Sequence, residues 1–306
     1  MATLFTTVFA GAYLAHFDHD FFRFWTQLKY QPDWWIDGLA FAAPLMAILL
    51  SHELGHYLMS RYHGVRSSLP YFIPGPNLVG TFGAVIIMKG RIPDRRALFD
   101  IGAAGPLAGL FVTLFTMIVG FAFADVICFD GREVESFFGV NFPQGAVLFD
   151  MNLLERLVFK AWPWYQSGDC MAVMSEAADN SSVSHIIHSP LLDAAAVGFL
   201  VTMLNLLPIG QLDGGHIAYS VLGKRAWWLG WACLAGVLVM GVLYWLPWLM
   251  MGVLLVFLMG FKGLKHPPPE NPEVGLTRGR IILAVIVLVI FILIVSPIPV
   301  SVYVPP

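Results

Sequence analysis

Long apolar segments with almost no charge dominate this chain and limit what it can fold into. A helix that crosses a membrane needs about 20 mostly apolar residues. Seven segments are candidates: 3–17, 36–60, 97–124, 190–207, 226–246, 248–261 and 281–295. Hydrophobic residues make up 58% of the chain, charged residues make up 12%, and the mean hydropathy is +0.74. This balance excludes an ordinary soluble domain and a disordered chain. We therefore predict an all-α polytopic membrane protein with six to seven transmembrane helices.

The basic residues indicate which side of the membrane each connection faces. If all seven segments cross, twelve of the 17 Lys and Arg residues lie in the connections 61–96, 223–225 and 262–280. Because cytoplasmic connections carry the excess of basic residues, we place these three in the cytoplasm of a multi-pass protein, in a bacterial inner membrane. The net charge of −3 gives the chain no positive field that would attract nucleic acid. Nucleic acid is therefore not an expected partner, whereas membrane lipid is.

The longest outer connection, 125–189, is expected to form a small cap that includes an amphipathic stretch at 152–159. It contains Cys128 and Cys170, which either form a disulfide or remain two free thiols. Three cysteines in the whole chain cannot build a disulfide framework or a thiolate metal site. On the other side, the proline-rich stretch 266–272 is predicted to be a stiff extended linker.

A charged motif lies inside the second apolar segment, where ionisable residues are costly and usually mark function. It reads His52-Glu53-Leu54-Gly55-His56, and residues four apart share one face of a helix. This is the H-E-x-x-H arrangement of two zinc ligands and a general base. The motif predicts a zinc site on His52 and His56 with Glu53 beside it. The alternative is a polar patch at the boundary between membrane and water.

A catalytic zinc needs at least a third protein ligand, and Asp213 is the acidic residue that stands out in the rest of the apolar chain. It follows Pro208, which ends the preceding helix, and lies among glycines that allow tight turns. A carboxylate held there can reach the face of another helix. Asp213 could also cap the next helix, and the two roles are compatible. His216 is a rival ligand, or a group that supports the site from outside.

The H-E-x-x-H motif, followed by an L-D-G-G element at 212–215 in a later segment, resembles the site-2 protease family of intramembrane zinc metalloproteases. The family pattern also has an Asn and a Pro shortly before the Asp, and Asn205 and Pro208 match it. Gly105 and Gly109, spaced for close helix packing, resemble the family core. The resemblance covers residues 36–222 without the outer connection.

The resemblance implies that His52, His56 and Asp213 hold one zinc ion per chain. Glu53 would act as the general base, and Asn205 would orient the substrate or stabilise the developing oxyanion. The implied function is hydrolysis of peptide bonds within or near transmembrane segments, as in regulated intramembrane proteolysis. The active site would lie nearer the cytoplasmic side, in a compact form of the family without a PDZ domain.

The resemblance also implies a membrane-re-entrant β-hairpin at 65–89, near the active site. The stretch Leu78–Met88 is rich in β-forming residues, and its glycines allow close backbone approach. A transmembrane substrate would bind there as an extended strand by β-augmentation, which offsets the cost of unwinding a helix in lipid. An ordinary interfacial loop that packs its apolar residues is the alternative.

The chain is accordingly expected to have a core of three helices with peripheral first and last spans. Its five parts are a peripheral N-terminal span with its outer connection (1–35), core spans with the H-E-x-x-H motif and re-entrant loop (36–124), the outer connection (125–189), a core span with the L-D-G-G motif (190–222), and peripheral C-terminal spans (223–306).

The alternative function is a non-catalytic membrane metal-binding module or a transporter. Transport would use His185 and His188 as an entry pair for metal near the outer end of the fourth segment. A structural metal site does not need Glu53, so the complete motif favours the enzyme. Loss of turnover with retained zinc in a Glu53→Gln variant would separate the two functions.

Overall fold

Helices make up most of the fold, and short antiparallel strand pairs lie between them. The computed structural model describes residues 1–16, 21–123, 125–130, 146–149, 152–161, 183–244, 246–263, 266–296 and 300–303. The helices are α1 Ala2–Ala15, α2 Phe21–Tyr30, α3 Asp33–Tyr62, α4 Arg95–Phe123, α5 Leu153–Ala161, α6 Pro190–Asn205, α7 Asp213–Leu222, α8 Ala226–Leu243, α9 Leu246–Gly263 and α10 Arg278–Ile294. The strands are β1 Arg66–Ser67, β2 Tyr71–Pro74, β3 Thr81–Val85, β4 Met88–Lys89, β5 Asp125–Asp130, β6 Ala146–Phe149, β7 Val183–His188 and β8 Val300–Tyr303.

Three helical stretches among the described residues are long and apolar enough to cross a membrane. They are Asp33–Tyr62, Arg95–Phe123 and Asp213–Leu243, and shorter apolar helices cover Ala2–Ala15, Pro190–Asn205 and Leu246–Phe257. The prediction of a mostly helical integral membrane protein is confirmed. Each of the seven predicted segments contains a helix, but the number of spans stays a prediction.

The stretch Asp213–Leu243 consists of two helices rather than one. Gly223, with φ 60°, ends α7, and a 3₁₀ turn, Gly223–Arg225, leads into α8. The chain before it is broken as well, because Pro208 lacks the N–H needed to continue α6. The break brings the end of α6 and the start of α7, at Asp213, next to each other within the fold.

The helices α3, α4 and α6 pack against one another and form the centre of the fold. Phe41 and Leu45 of α3 are fully buried in a cluster with Ala194 and Val197 of α6. A larger cluster joins α4 and α6 to α7, α8 and α10, and its buried members include Phe99, Met117, Phe199, Ile217 and Val287. This packing fixes the relative positions of the helices that carry the predicted site residues.

The segment between α3 and α4 forms the predicted antiparallel hairpin. The strand β1 pairs with β4, and β2 pairs with β3 in the register Tyr71 to Val85 and Phe72 to Ala84. The β-rich stretch Leu78–Met88 is not one continuous strand. Its first residues belong to a turn, because the side-chain oxygen of Asn77 accepts hydrogen bonds from the backbone N–H groups of Val79 and Gly80.

One side of this hairpin lies against α1. The Thr3 hydroxyl donates a hydrogen bond to the carbonyl oxygen of Phe72, 3.2 Å away. The Thr6 hydroxyl donates another to the carbonyl oxygen of Gly80 over 2.6 Å. Backbone acceptors on β2 and in the turn are therefore occupied by α1. The strand β3 has only β2 as a strand neighbour among the described residues.

The segment 125–189, predicted to be an outer connection, contains the predicted amphipathic stretch as the helix α5. The side chains of Asn152 and Glu155 each accept a hydrogen bond from the other's backbone N–H at its start, which is a reciprocal cap. The strand β5 pairs with β7, which contains His185 and His188. Cys170 lies outside the described residues, as does the side chain of Cys128, so the disulfide stays a prediction.

Candidate metal centre

Three side chains predicted as metal ligands meet where α3 faces the start of α7. His52 and His56 lie one turn apart on α3, and their Nε2 atoms are 3.1 Å from each other. Oδ2 of Asp213 lies 3.2 Å from Nε2 of His52 and 3.3 Å from Nε2 of His56. In the part of the chain that the structure describes, this is the one group of three such side chains whose ligand atoms converge.

The shape of this group fits a zinc ion. Ligand atoms about 2.0–2.1 Å from a tetrahedral zinc lie about 3.3 Å from one another. The three sides of the observed triangle, 3.1, 3.2 and 3.3 Å, are close to that value. Two imidazoles and one carboxylate are a donor set that zinc accepts, and three protein ligands leave a fourth position open, as in catalytic sites.

The orientation of the His56 ring suits a metal ligand. Its Nδ1 lies 2.8 Å from the carbonyl oxygen of Ile101 on α4. A carbonyl oxygen only accepts, so Nδ1 carries the proton and the lone pair of Nε2 faces His52 and Asp213. Metal-binding histidines commonly donate their second N–H to a backbone carbonyl in this way, which fixes both tautomer and ring orientation.

Two glycines of α4, Gly105 and Gly109, lie against the two imidazole rings. A Cβ added at Gly105 would overlap Nε2 of His56 and lie 2.5 Å from its Cδ2. A Cβ added at Gly109 would lie 3.2 Å from both Cβ and Nδ1 of His52. The two glycines whose spacing predicted close helix packing therefore leave space for the imidazoles of His52 and His56.

Glu53 and Asn205 complete the set of predicted site residues. Glu53 is buried beside His52, interacts electrostatically with His56 and Asp213, and receives a backbone hydrogen bond from Ile86 of the hairpin. The side-chain nitrogen of Asn205, the last residue of α6, lies 3.4 Å from Nε2 of His52. The structure thus brings all five residues together from α3, α6 and α7.

The capping role that the sequence allowed for Asp213 is wrong. The N-cap of α7 is Leu212, which makes no side-chain cap, and Asp213 is the first helical residue. Its carboxylate faces the two imidazoles instead of the backbone N–H groups of its own helix. The start of α7 is therefore positioned by packing and not by a cap.

His216, the rival ligand, is not part of the converging group. Its Nδ1 forms a hydrogen bond with Nε2 of His266, in the stretch predicted to be a linker. His266 and the carbonyl oxygen of Ile101 were both missed by the sequence analysis. A histidine directly before a run of prolines gave no sign of its partner, because the contact joins residues 50 positions apart.

Comparison with known proteins places these motifs in a family. The family model described as peptidase family M50 matches residues 40–228. A rice protein named probable zinc metalloprotease EGY1, chloroplastic, is 35% identical over 191 residues, covering 62% of this chain and 29% of the rice protein. Its Arabidopsis thaliana namesake is 35% identical over 216 residues, covering 69% of this chain and 35% of that protein. The Arabidopsis thaliana protein named probable zinc metalloprotease EGY2, chloroplastic, is 30% identical over 189 residues, covering 62% of this chain and 30% of that protein.

The chain spans about a third of the length of these relatives. No solved structure shows a significant match to it. The named relatives are chloroplastic plant proteins, so they do not support the predicted bacterial inner membrane. The family match covers more than half of the chain and contains both the H-E-x-x-H motif and Asp213, and the chain therefore belongs to peptidase family M50.

Proposed function

We propose that this protein is an intramembrane zinc metalloprotease that hydrolyses peptide bonds within or near transmembrane segments of membrane proteins. The observation that carries the proposal is the triangle of His52, His56 and Asp213, with the buried carboxylate of Glu53 beside it. The names of the relatives, probable zinc metalloproteases, agree with it. Apolar helices around the site support a substrate that is itself a membrane protein.

Zinc at such a site supplies Lewis acidity toward a water molecule and toward the carbonyl of a peptide bond. Glu53 is the general base: a carboxylate oxygen takes a proton from the attacking water as the new C–O bond forms. The same oxygen then passes that proton to the amide nitrogen as the C–N bond breaks. A structural metal site would have no use for this carboxylate.

Asn205 stabilises the charge that develops on the substrate carbonyl oxygen. Its side-chain nitrogen lies at the edge of the metal triangle, 3.4 Å from Nε2 of His52. An N–H donor aimed at a developing oxyanion in a site without bulk water lowers the barrier to its formation. The end of α6 holds this amide next to α3, which carries Glu53, so both groups face a peptide bond held at the metal.

The substrate binds as an extended strand along β3. Its helix must unwind before hydrolysis, and each freed backbone group costs several kcal/mol in lipid. A strand edge offers partners for those groups. The β2 side of the hairpin lies against α1 through Thr3, while β3 has no second strand neighbour among the described residues. Phe82, within β3, is 65% exposed. The backbone contact between Ile86, which follows β3, and Glu53 links this part of the hairpin to the site.

The active site opens toward the side that carries the basic connections. Twelve of the 17 basic residues lie in connections assigned to one side of the membrane, and the positive-inside rule makes that side the cytoplasm. His52 and His56 lie in the second half of α3, whose last residue, Tyr62, leads into one of those connections. Water reaches the metal from this side, and cleavage there releases the cytoplasmic part of a substrate.

The test compares membranes from cells that carry either the wild type or Glu53→Gln, by mass spectrometry of protein N-termini. New N-termini inside transmembrane segments are expected with the wild type alone, and they identify the substrates. Matching profiles from two variants that both hold zinc would contradict the protease function.

Replacing Gly83 with valine is expected to lower cleavage by roughly tenfold while zinc binding is unchanged. Gly83 lies in β3 with φ 98° and open space around an added Cβ, so the substitution acts through the backbone and not through a clash. A branched residue at positive φ costs about 1–3 kcal/mol, which shifts β3 away from the conformation that pairs with substrate. Cleavage rate and zinc content of the purified variant give the result.

Gly90→Val is the matched control. Gly90 follows β4 with φ 119° and also has open space for a Cβ, so the backbone strain is similar but lies outside β3. We expect this variant to cleave at the wild-type rate. Equal rates for Gly83→Val and the wild type would exclude strand pairing at β3.

A further inference from the structure

The proline-rich stretch between α9 and α10 is fixed to the core of the fold. The backbone N–H of Glu270 donates to the carbonyl oxygen of Ile92 over 3.0 Å, and that of Asn271 donates to the carbonyl oxygen of Pro93 over 2.9 Å. A parallel bridge between Asp94 and Asn271 continues this pairing. The stretch is therefore not a free linker: it is held along the segment that leads into α4, and its backbone bends at Glu270 and turns at Pro272.

His266 begins this stretch and is buried, with only 8% of its surface exposed. Its ring stacks on Tyr219 of α7, with centroids 4.8 Å apart. Its Nδ1 lies 2.6 Å from the carbonyl oxygen of Pro267. Burial lowers the pKa of His266, so the ring is neutral at pH 7.

The hydrogen bonds of this ring have one possible direction. A carbonyl oxygen only accepts, so the single proton of the neutral His266 ring is on Nδ1 and points to Pro267. Its Nε2 must then accept from His216, whose Nδ1–H donates. His266 thus acts as an acceptor that fixes both the tautomer and the rotamer of His216.

His216 connects this contact to the metal centre. It lies three residues after Asp213 on α7, and a Cβ added at Gly102 of α4 would be 2.8 Å from the Cβ of His216. The neighbouring residue Ile101 supplies the carbonyl oxygen that orients His56. His216 is therefore held between His266 and the same turn of α4 that positions one of the two metal-binding imidazoles.

The start of α7 needs such a contact because no side chain caps it. The other end of α7 is held by Arg95, which donates to the carbonyl oxygens of Ser220 and Val221 over 2.9 Å each. Rotation of α7 about its axis would move these backbone oxygens, which lie near the axis, less than the carboxylate of Asp213, which lies further out. The hydrogen bond between His216, in the first turn of α7, and His266 prevents this rotation.

We propose that His266 and His216 are positioning residues of the metal centre, which hold α7 in the orientation that directs Asp213 at His52 and His56. The inference rests on the proposed zinc site. It makes the connection between α9 and α10 a functional part of that site.

The test measures the affinity of the purified full-length protein for zinc alone, by competition with a chelator. We expect His266→Ala to weaken zinc binding by roughly tenfold, the lower end of the effect of losing a direct partner of a metal ligand, because His266 acts on Asp213 only through α7. His266→Gln should restore most of the affinity, because its amide oxygen can accept from Nδ1 of His216. A role of the His266 ring in packing alone would not be restored by this acceptor atom.

Asn271→Ala is the matched control in the same stretch. It removes the 3.3 Å hydrogen bond from the Asn271 side chain to the carbonyl oxygen of Pro93 but leaves His266 in place, and we expect wild-type zinc affinity.

If His266→Ala does not fold, His216→Leu is the second test variant. It removes the donor of the same hydrogen bond and should show the same loss of zinc affinity. The inference would be overturned by wild-type affinity in whichever of these two variants folds, and also by a lack of recovery in His266→Gln. Neither result would contradict the proposed function. A wild-type protein that binds no zinc would overturn the proposed function and the inference with it.

Discussion

Glu53→Gln is expected to lower the rate of peptide hydrolysis by roughly 10²- to 10⁴-fold, the usual contribution of a general base, while the protein keeps its zinc. The amide has nearly the shape of the carboxylate but cannot take a proton from water. The ligand atoms of His52, His56 and Asp213 are not altered. Turnover of a transmembrane peptide and the zinc content of the same preparation, measured together, give the result.

Glu155→Gln is the control for this change. Glu155 is also a buried glutamate, but it lies in α5, where it caps the helix through Asn152. Glutamine can take the place of glutamate in such a cap, so wild-type turnover is expected. Wild-type turnover in Glu53→Gln would exclude Glu53 as the base. A wild type that holds zinc and cleaves no membrane peptide would favour the metal-binding module.

The ligands on α3 could be predicted because helical periodicity alone determines their relation. Residues four apart lie on one face of any helix, and the structure places Nε2 of His52 and His56 next to each other. The place of Asp213 was a weaker inference, because 161 residues separate it from His52. Its position at the site depends on how α3, α4 and α7 pack, and a local sequence pattern cannot predict that packing.

The hairpin lies in the region predicted for it, 65–89, but only part of its β-rich stretch Leu78–Met88 forms strands. Leu78 and Val79 have strand-forming composition, yet they lie in a turn that the side chain of Asn77 organises. A local hydrogen bond from an asparagine to its own backbone competes with strand pairing. The sequence contained this signal, since asparagine after two prolines and a glycine is typical of turns.

The stretch 266–272 illustrates what composition cannot predict. Its prolines correctly exclude a helix, and residues 266–272 form none, but the predicted extended linker bends at Glu270 and turns at Pro272. They say nothing about which neighbour that backbone pairs with, and the partner is the segment before α4. The burial of His266 follows from this tertiary pairing, so the histidine looked like part of a linker until the fold was known.

Gly105→Ala is expected to remove zinc from the protein, with an affinity loss of at least about 100-fold, larger than the loss of a group that only orients a ligand. The added Cβ would overlap Nε2 of His56, so the ring must leave its place. It would then also lose the hydrogen bond to the carbonyl oxygen of Ile101. Alanine favours the helix over glycine, so α4 itself should not be weakened. Chelator competition and the melting temperature separate the two effects.

Gly109→Ala makes the same substitution one turn further along α4. There the Cβ would lie 3.2 Å from the nearest atoms of His52, a separation that a shift of a few tenths of an ångström relieves. We therefore expect this variant to keep its zinc with a small loss of affinity. If both variants bound zinc as the wild type does, His56 would not be a ligand held against α4. If both lost it equally, α4 would act through general packing and not through the two imidazoles.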